Sequence, residues 1–303
     1  MSTITRLLTE ADRVCFESYL TGHLSTSLFL LSNSRQAGLT YTGKAYSGDH
    51  VAVFKEQKLS GILCHTWNGN LLPQARVENL EALLVELQEH SQRDIAGVVG
   101  PSPQVKELER LLGIKSEALK LNSDEILFEL KLSELRIPET LNKSGITAAK
   151  ATTNETEILS QWRVAYSVEV LGETNSLRLN ESCREQMERA IAEERVWILK
   201  DGDQTVACAG FNAQIAEAVQ IGGVYTPPNL RGRGYARAVT AAALRYAASQ
   251  ECGLSILFTE HNNSAAKKAY ESIGFKPVGT FRLAILAQPL RIAHCSDTPS
   301  TPN

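Results

Sequence analysis

The sequence predicts an α+β fold in which two domains, each built on a mixed sheet, follow one another along the chain. Its length of 303 residues is typical of about two domains. A polar stretch containing proline and glycine, from Pro138 to Gly145, divides the chain near its middle, as a linker would. On each side of this stretch, strand-like apolar runs alternate with helical apolar patterns in a similar order.

The composition is that of an ordinary globular protein. Hydrophobic residues make up 43% of the chain, and the 31 basic and 34 acidic residues give a formal net charge of -3. This balance gives no electrostatic argument for binding nucleic acid or a membrane surface. The longest apolar runs are too short to span a bilayer, and the acidic residues within Met1 to Leu20 are unlike a signal peptide. We therefore expect a cytoplasmic protein with no nucleic-acid or membrane partner.

The six cysteines and six histidines do not form a metal-binding pattern. No two cysteines make a CxxC pair, and the histidines do not cluster with them, so we predict no metal site. Scattered cysteines in a chain of this length are typical of reduced, mostly buried thiols.

The second half carries clear signals for both helices and strands. Asn154 with Glu157 predicts the start of a first helix, and Asn180 can cap a second. Asp201-Gly202 is a strong hairpin signal, and Gly253 suits the end of a long helix. The predicted strands are 146–151, 196–199, 205–211, 216–226, 254–258, 276–278 and 280–287, and the later helices are 234–250 and 264–272.

The first half has a similar order of elements, which suggests two diverged copies of one unit. Its predicted strands are 28–32, 48–54, 61–65, 95–99 and 126–132, and its predicted helices are 77–90 and 105–112. We assign one domain to residues 1–138 and a second to residues 146–290. Residues 291–303 lack an apolar pattern and are predicted to be a disordered tail.

The segment from Val224 to Ala236 combines features that suit a bound pyrophosphate. It lies between a predicted strand and a predicted helix, whose first turn has unpaired N–H groups and a positive dipole end. Gly232 and Gly234 let backbone amides approach an anion closely, and two arginines add fork-shaped donors. Taken alone, this stretch can equally be a solvated loop or a nucleic-acid patch.

A second segment, from Thr259 to Phe275, follows the next predicted strand. Asn263 is placed to cap a short helix, and Tyr270 lies two turns into it, on the face of Asn263 and Ala266. A lone tyrosine at such a position is most often packed in a core. The prediction of function therefore depends on the order and spacing of the two segments.

Together the two segments resemble the GNAT superfamily of N-acetyltransferases. Arg231-x-x-Gly234-x-Ala236 is similar to that family's pyrophosphate signature, and Asn263-x-x-Ala266-x-x-x-Tyr270-x-x-x-Gly274-Phe275 is similar to its second cofactor segment. The resemblance covers about Ile146 to Ala287. It implies tandem GNAT-like domains, of which the C-terminal one carries the acetyl-CoA motif and the N-terminal one is degenerate.

The resemblance implies an acyltransferase that moves an acetyl group from acetyl-CoA directly to a primary amine. Backbone N–H near Val224 would stabilise the developing oxyanion, and Tyr270 would protonate the departing thiolate as general acid. The cofactor contacts that it implies are Val224, Tyr225, Thr226, Arg231, Gly232, Arg233, Gly234, Tyr235, Ala236 and Asn263.

The general base is less clear from the sequence. Many family members have a carboxylate on the strand before the pyrophosphate loop, where this chain has Gln220, which cannot act as a base. Glu217 is the nearest carboxylate, although a regular strand would turn it to the opposite side. His261 is a second candidate through a water. Glu169, on the first helix of the second domain, can attract a cationic amine or can simply be solvated.

The corresponding place in the first half differs. Gln74 to Asn79 contains no glycine, and Glu78 and Glu81 lie in the first turn of the helix that follows. Their charge suits the helix dipole but repels pyrophosphate. We predict that the first half does not bind acetyl-CoA.

Two rival functions remain open from the sequence. In one, the chain is a non-catalytic regulator that binds acyl-CoA through its second half. In the other, Arg231, Arg233 and Arg237 bind nucleic acid, a reading that conflicts with the net charge. The acceptor can be a small molecule or a peptide, and the sequence leaves its identity and the oligomeric state open.

Overall fold

A computed structural model describes residues 3–291 of the chain. Within them the α-helices are α1 (Arg13–Thr21), α2 (Leu24–Ala37), α3 (Leu80–His90), α4 (Ser102–Leu111), α5 (Thr156–Leu171), α6 (Leu177–Ala192), α7 (Tyr235–Ser249) and α8 (Ser264–Ser272). The strands are β1 (Thr3–Leu7), β2 (Gly48–Lys55), β3 (Lys58–Thr66), β4 (Asn70–Ala75), β5 (Ile95–Pro101), β6 (Leu119–Lys131), β7 (Ile146–Lys150), β8 (Val196–Asp201), β9 (Gln204–Gln214), β10 (Ala218–Tyr225), β11 (Leu254–Glu260) and β12 (Lys276–Leu290). The predicted tail, apart from its first residue, lies outside the described residues.

The chain divides into two compact units. Among the described residues, unit 1 comprises 3–126 together with 279–291, and unit 2 comprises 127–278. Strands β6 and β12 each contribute residues to both units. The domain boundaries inferred from composition, 1–138 and 146–290, stay a prediction.

Unit 1 is built on a sheet with the strand order β1-β2-β3-β4-β5-β12, followed by the first part of β6. Neighbouring strands from β1 to β4 are antiparallel, β4 and β5 are parallel, and β12 runs antiparallel to β5 with Phe281 opposite Pro101. Helices α3 and α4 pack on this sheet. In α3, Leu80, Leu83, Leu84 and Leu87 are buried because their spacing places them on one face.

A buried ion pair fixes β12 within unit 1. Arg282 donates to both carboxylate oxygens of Glu109 on α4, at 2.8 and 2.9 Å, and to Asp124 on β6 at 3.2 Å. The Arg282 and Glu109 side chains are only 9% and 10% exposed. The hydrogen bond from Arg282 to Glu109 raises the pKa of Arg282, so the guanidinium stays charged.

One predicted strand of unit 1 is wrong. Residues 28–32 lie inside helix α2, where Leu28, Leu30 and Leu31 are all buried. A helix that is buried on more than one side shows no clear period, and a short apolar run then cannot be told from a buried strand. Helix α1 and strands β1 and β4 carry weak patterns that the sequence reading missed.

Unit 2 is built on a sheet with the strand order β6-β11-β10-β9-β8-β7, to which β6 contributes residues 127–131. Strands β7 to β10 are antiparallel, and β10 and β11 are parallel. Helices α5 and α6 pack on β8, β9 and β10 through Leu159, Ile191, Ile198, Cys208 and Tyr225. The predicted Asp201-Gly202 hairpin joins β8 to β9, and Gly202 has a φ of 59°.

Two predicted helix starts in unit 2 are wrong by a few residues. The capping box of the first helical segment is Thr152 with Glu155, two residues before the predicted pair. Helix α6 begins at Leu177, where the Ser176 hydroxyl accepts from the Leu179 N–H, and Asn180 lies inside the helix. Each segment offers several residues able to cap, and the sequence does not say which one lies at the helix end.

Two predicted ends also differ from the structure. Helix α7 ends before Gly253, and the left-handed residue there is Glu251, with a φ of 62°. The two short strands predicted at 276–278 and 280–287 form one continuous strand, β12. Gly279 lies between the two predicted strands, and a glycine within a strand fits an uninterrupted ladder at a cost in stability.

Candidate active site

The parallel strands β10 and β11 of unit 2 diverge along their length. Their register pairs Ala218 with Leu254, Val219 with Ser255 and Gln220 with Ile256, and it covers no further described residue. Strand β10 continues to Tyr225 beside β9, and β11 continues to Glu260. The unpaired edges beyond Gln220 and Ile256 therefore form a cleft whose backbone groups are available to an extended ligand.

A bulge in β10 lies at this cleft. The register of β10 against β9 shifts between Gln220 and Ile221 and again between Gly222 and Tyr225. Gly223 has a φ of 59°, which favours glycine, and its carbonyl accepts from the Cys208 thiol at 3.7 Å. The Asn212 side chain lies where a Cβ on Gly222 would stand. The backbone thus favours glycine at position 223, and the Asn212 side chain leaves no room for a Cβ at position 222.

The loop after β10 leads directly into helix α7. Pro228–Leu230 forms a single 3-10 turn, and Gly232 and Gly234 follow with φ values of 79° and 81°. Helix α7 then begins at Tyr235. The first-turn N–H groups of a helix have no partner within it and carry partial positive charge, so this end of α7 suits an anion. Only glycine adopts two such left-handed positions at low cost.

Arg231 is held by three acceptors in this structure. Its Nε donates to the Thr226 carbonyl oxygen at 2.9 Å, and its Nη1 and Nη2 donate to the two carboxylate oxygens of Glu169 at 2.6 and 2.7 Å. These hydrogen bonds to Glu169 are the main reason that the pKa of Arg231 is raised and that of Glu169 is lowered. The loop is therefore tied to α5, near the C-terminal end of that helix.

Three contacts at the start of α7 were not anticipated from the sequence. The Tyr235 hydroxyl forms a very short hydrogen bond with the Asp201 carboxylate, which raises the pKa of Tyr235. A Cβ placed on Gly234 would lie 2.9 Å from Thr140 Oγ1 and 3.0 Å from Arg237 Nε. The Arg237 guanidinium thus folds back over the first turn. The contact of Arg237 could have been predicted, because Arg237 lies three residues after Gly234. The contacts of Asp201 and Thr140 could not, because both residues are distant from the loop in sequence.

Helix α8 presents the second motif. Asn263 caps it by accepting from the Ala266 N–H at 3.0 Å, which confirms the predicted cap. Tyr270 is half-buried on the same helix, with its ring 6.0 Å from that of Phe275. His261 is exposed, and its carbonyl accepts from Lys267 Nζ at 2.6 Å. Helices α7 and α8 contact each other, so the two motifs lie on adjacent elements.

The two positions considered for a general base, Gln220 and Glu217, lie on β10 and immediately before it. Gln220 is buried, and its Nε2 donates to the Ile221 carbonyl oxygen at 2.9 Å. Glu217 is exposed and precedes β10, where its carbonyl accepts from the N–H groups of Gly253 and Leu254 at 3.2 Å. It therefore lies at the paired end of β10 and β11, several residues from the cleft.

The predictions on metal sites, thiols and membrane spans can be compared with the described part of the chain. Among residues 3–291 there is no group of three or more metal-ligating side chains placed to hold an ion. Burial raises the pKa of the Cys208 thiol to about 12, so at neutral pH it is a packed thiol without nucleophilic character. No helix in this part of the chain is long and apolar enough to cross a membrane.

This chain is similar to known proteins both in sequence pattern and in fold. Residues 159–275 match the model of the acetyltransferase (GNAT) family. An acetyltransferase of the GNAT family from Colwellia psychrerythraea is 16% identical over 94% of this chain and 100% of its own, with a TM-score of 0.52. A GCN5-related N-acetyltransferase from Sphaerobacter thermophilus is 14% identical over 95% of this chain and 96% of its own, with a TM-score of 0.55. A Drosophila protein is 12% identical over 94% of this chain and 99% of its own, with a TM-score of 0.65.

These identities establish likeness of fold. No curated protein sequence matches the chain. The family match spans both motifs, at residues 159–275, and confirms the resemblance that they carry. The similar structures cover nearly the whole chain, so the GNAT-like fold extends over both halves. Family and fold together support acyl transfer as the general chemistry.

Proposed function

We propose that the chain is an acetyl-CoA-dependent N-acetyltransferase that uses one cofactor site, in unit 2, to acetylate a primary amine. The observation that carries this proposal is the divergence of β10 from β11 beside a loop with two left-handed glycines that leads into α7. A cleft between parallel strands suits the extended arm of the cofactor, and the start of α7 suits its pyrophosphate.

The residues present fit this cofactor. Gly232, Arg233 and Gly234 with the first turn of α7, at Tyr235 and Ala236, would hold the pyrophosphate, together with the guanidinium of Arg231. Val224, Tyr225 and Thr226 offer backbone groups for the pantetheine arm. A side chain at Gly234 would fill the cradle, because its Cβ would stand 2.9 Å from Thr140 Oγ1. The Asn263 side-chain oxygen accepts from the Ala266 N–H and begins α8, and a contact of Asn263 with the cofactor stays a prediction.

When bound, acetyl-CoA supplies an acyl group activated as a thioester. The neutral amine nitrogen of the acceptor would form the new C–N bond as the C–S bond breaks and the thiol of CoA leaves. A backbone N–H near Val224 would donate to the acyl oxygen while negative charge develops there. The Tyr270 hydroxyl would give its proton to the leaving sulfur, since a phenol and a thiol have ordinary pKa values of about 10 and 8.5.

The proton lost by the amine needs an acceptor. The placement of Glu217 at the paired end of β10 does not support a direct role for it as base, and Gln220 has no basic atom. A water that passes the proton to His261 or to bulk solvent is sufficient for an amine whose pKa is near 8, as for an α-amino group. The proposal therefore favours an acceptor amine of low basicity.

We place no cofactor site in unit 1. At the corresponding strand, Pro73 has no N–H to offer, and the Ala75 N–H donates to the side-chain oxygen of Gln104 at 3.0 Å. Glu78, in the turn before α3, adds negative charge where a pyrophosphate would bind.

The test is acetyl transfer from acetyl-CoA to a panel of amines: amino acids, polyamines, aminoglycosides, and peptides with a free N-terminus or lysine. Release of the free thiol reports turnover. Tyr270→Phe should lower kcat about 10²-fold or more, because a general acid is removed, while CoA affinity stays within about twofold. Tyr246→Phe, a tyrosine on α7 of the same unit, is the matched control and should retain the wild-type rate.

Two results would contradict the proposal. If no amine of the panel is acetylated while the protein binds CoA, the chain is better described as an acyl-CoA-binding regulator. If Tyr270→Phe keeps the wild-type rate, its hydroxyl is not the general acid, and another proton donor must be sought on α8 or in solvent.

A further inference from the structure

The ion pair between Arg231 and Glu169 joins two parts of the proposed site that would bind different ligands. Arg231 belongs to the loop proposed for the cofactor, and Glu169 lies on α5, two residues before its last residue, Leu171. The two terminal nitrogens of Arg231 bind both oxygens of Glu169, at 2.6 and 2.7 Å. The Glu169 carboxylate thus occupies the donors on both terminal nitrogens of the guanidinium.

The inner edge of the same guanidinium is anchored independently. Its Nε donates to the Thr226 carbonyl oxygen at 2.9 Å, within the loop itself. Replacing Glu169 by another anion would therefore leave the guanidinium in place. Phosphate and carboxylate match the same pair of arginine donors, so they are direct competitors for them. Both side chains are more than two-fifths exposed, at 44% and 43%, so the exchange needs no opening of a core.

Glu169 lies at an unfavourable place for an unpaired carboxylate. It is within the last turn of α5, which ends at Gly172 in a left-handed cap. The C-terminal end of a helix carries partial negative charge, which repels a carboxylate and attracts a cation. Arg231 supplies that cation here. If Arg231 is drawn to another anion, Glu169 with the end of α5 becomes a site for a different cation.

We propose that Glu169 competes with the cofactor's phosphates for Arg231, and that loading of the cofactor releases Glu169 to hold a cationic acceptor amine. This inference rests on the proposed function. Cofactor and acceptor then bind cooperatively, since taking Arg231 from Glu169 creates the attraction for the ammonium group. By linkage a cationic acceptor strengthens cofactor binding by the same factor.

The test uses CoA itself, titrated by calorimetry into the full chain and its variants. Glu169→Gln removes the competing charge but keeps the side-chain shape, so CoA should bind about two- to fivefold more tightly, the range expected for an exposed ion pair. Glu157→Gln, an exposed carboxylate at the other end of α5, is the matched control and should leave CoA affinity unchanged. The gain should shrink at high salt, because charge interactions at the surface are screened.

A double-mutant cycle separates direct competition from general charge repulsion. In an Arg231→Ala background, Glu169→Gln should change CoA affinity by less than about 1.5-fold, because the contested donors are gone. Circular dichroism of each variant confirms that it is folded.

The outcomes distinguish the inference from the function on which it rests. If Glu169→Gln binds CoA as tightly as the wild type does or more weakly, Glu169 only holds Arg231 in position, and the inference is overturned. The inference is also overturned if Glu169→Gln tightens CoA binding equally in the wild-type and the Arg231→Ala backgrounds, because the effect is then due to long-range charge alone. In both cases the proposed function stands. If neither the wild type nor any variant binds CoA, the proposed function falls and the inference falls with it.

Discussion

Gly234 provides a sharp test of the phosphate cradle. Its φ of 81° lies in the left-handed region, and a Cβ there would stand 2.9 Å from Thr140 Oγ1 and 3.0 to 3.1 Å from the Arg237 guanidinium. Gly234→Ala therefore has two effects. The backbone conformation costs about 1–2 kcal/mol of stability, and the new methyl group displaces Arg237 and narrows the approach to the first turn of α7.

The two effects can be separated with a second glycine. Gly113 has a φ of 65° and no atom within 4 Å of its Cβ position, so Gly113→Ala carries the backbone cost alone. Both variants should lose about 1–2 kcal/mol in urea unfolding. Gly234→Ala should also weaken CoA binding by roughly 10-fold or more, because a charge-assisted hydrogen bond contributes about 1.5–3 kcal/mol. Gly113→Ala should bind CoA as the wild type does.

Calorimetric titration of CoA into the two variants measures this difference. A folded Gly234→Ala protein whose CoA affinity lies within twofold of the wild type would refute the reasoning. The pyrophosphate would then have to bind elsewhere than at the loop between β10 and α7.

Three further predictions concern the fold and its titratable groups. Arg282→Ala leaves the Glu109 carboxylate buried without its partner, and it should cost about 3–5 kcal/mol in urea unfolding. Burial lowers the pKa of His65 to about 4, from an ordinary 6.5. The unfolded chain then binds the proton first as pH falls, so stability should be lost between pH 6.5 and 4, by up to about 3 kcal/mol; His65→Gln should flatten this slope. The Cys208 thiol, whose pKa is raised to about 12 by burial, should resist alkylation at pH 8 until urea unfolds the chain.

Each of these predictions has a control or a result that would contradict it. Lys276→Ala breaks an exposed ion pair with Glu134, with side chains 67% and 46% exposed, and should cost less than about 1 kcal/mol. An equal cost for Arg282→Ala would contradict the buried-charge argument. For the histidine, an unchanged pH slope in His65→Gln would contradict the assignment of this pH dependence to His65. For the thiol, peptide mapping that finds Cys208 alkylated in the native protein would show that this part of unit 2 opens readily.

Some local signals in the sequence predicted local structure correctly. The Asp201-Gly202 hairpin and the Asn263 cap both form, because each depends on residues within four positions of one another. Helix α7 begins at Tyr235, one residue after its predicted start, because the glycines before it mark the end of the loop. The prediction at 28–32 failed because a short run of consecutive apolar residues within a helix cannot be told from a buried strand.

The long-range features could not be predicted in the same way. Arg231 and Glu169 are 62 positions apart, and nothing in either segment indicates the other. The assignment of residues from 279 onward to unit 1 depends on pairing with β5 and on the ion pair of Arg282 with Glu109, which are 173 positions apart. Strand pairing of this kind is decided by the whole sheet and not by the strand's own residues.

The stoichiometry of CoA binding tests the central claim most directly. The full chain and the variant Arg231→Ala/Gly234→Pro would be titrated with CoA by calorimetry; the double change removes a charge and a backbone donor from the proposed cradle. The account predicts one site per chain in the wild type and none in the variant. Two sites per chain, or one site that survives the double change, would contradict it.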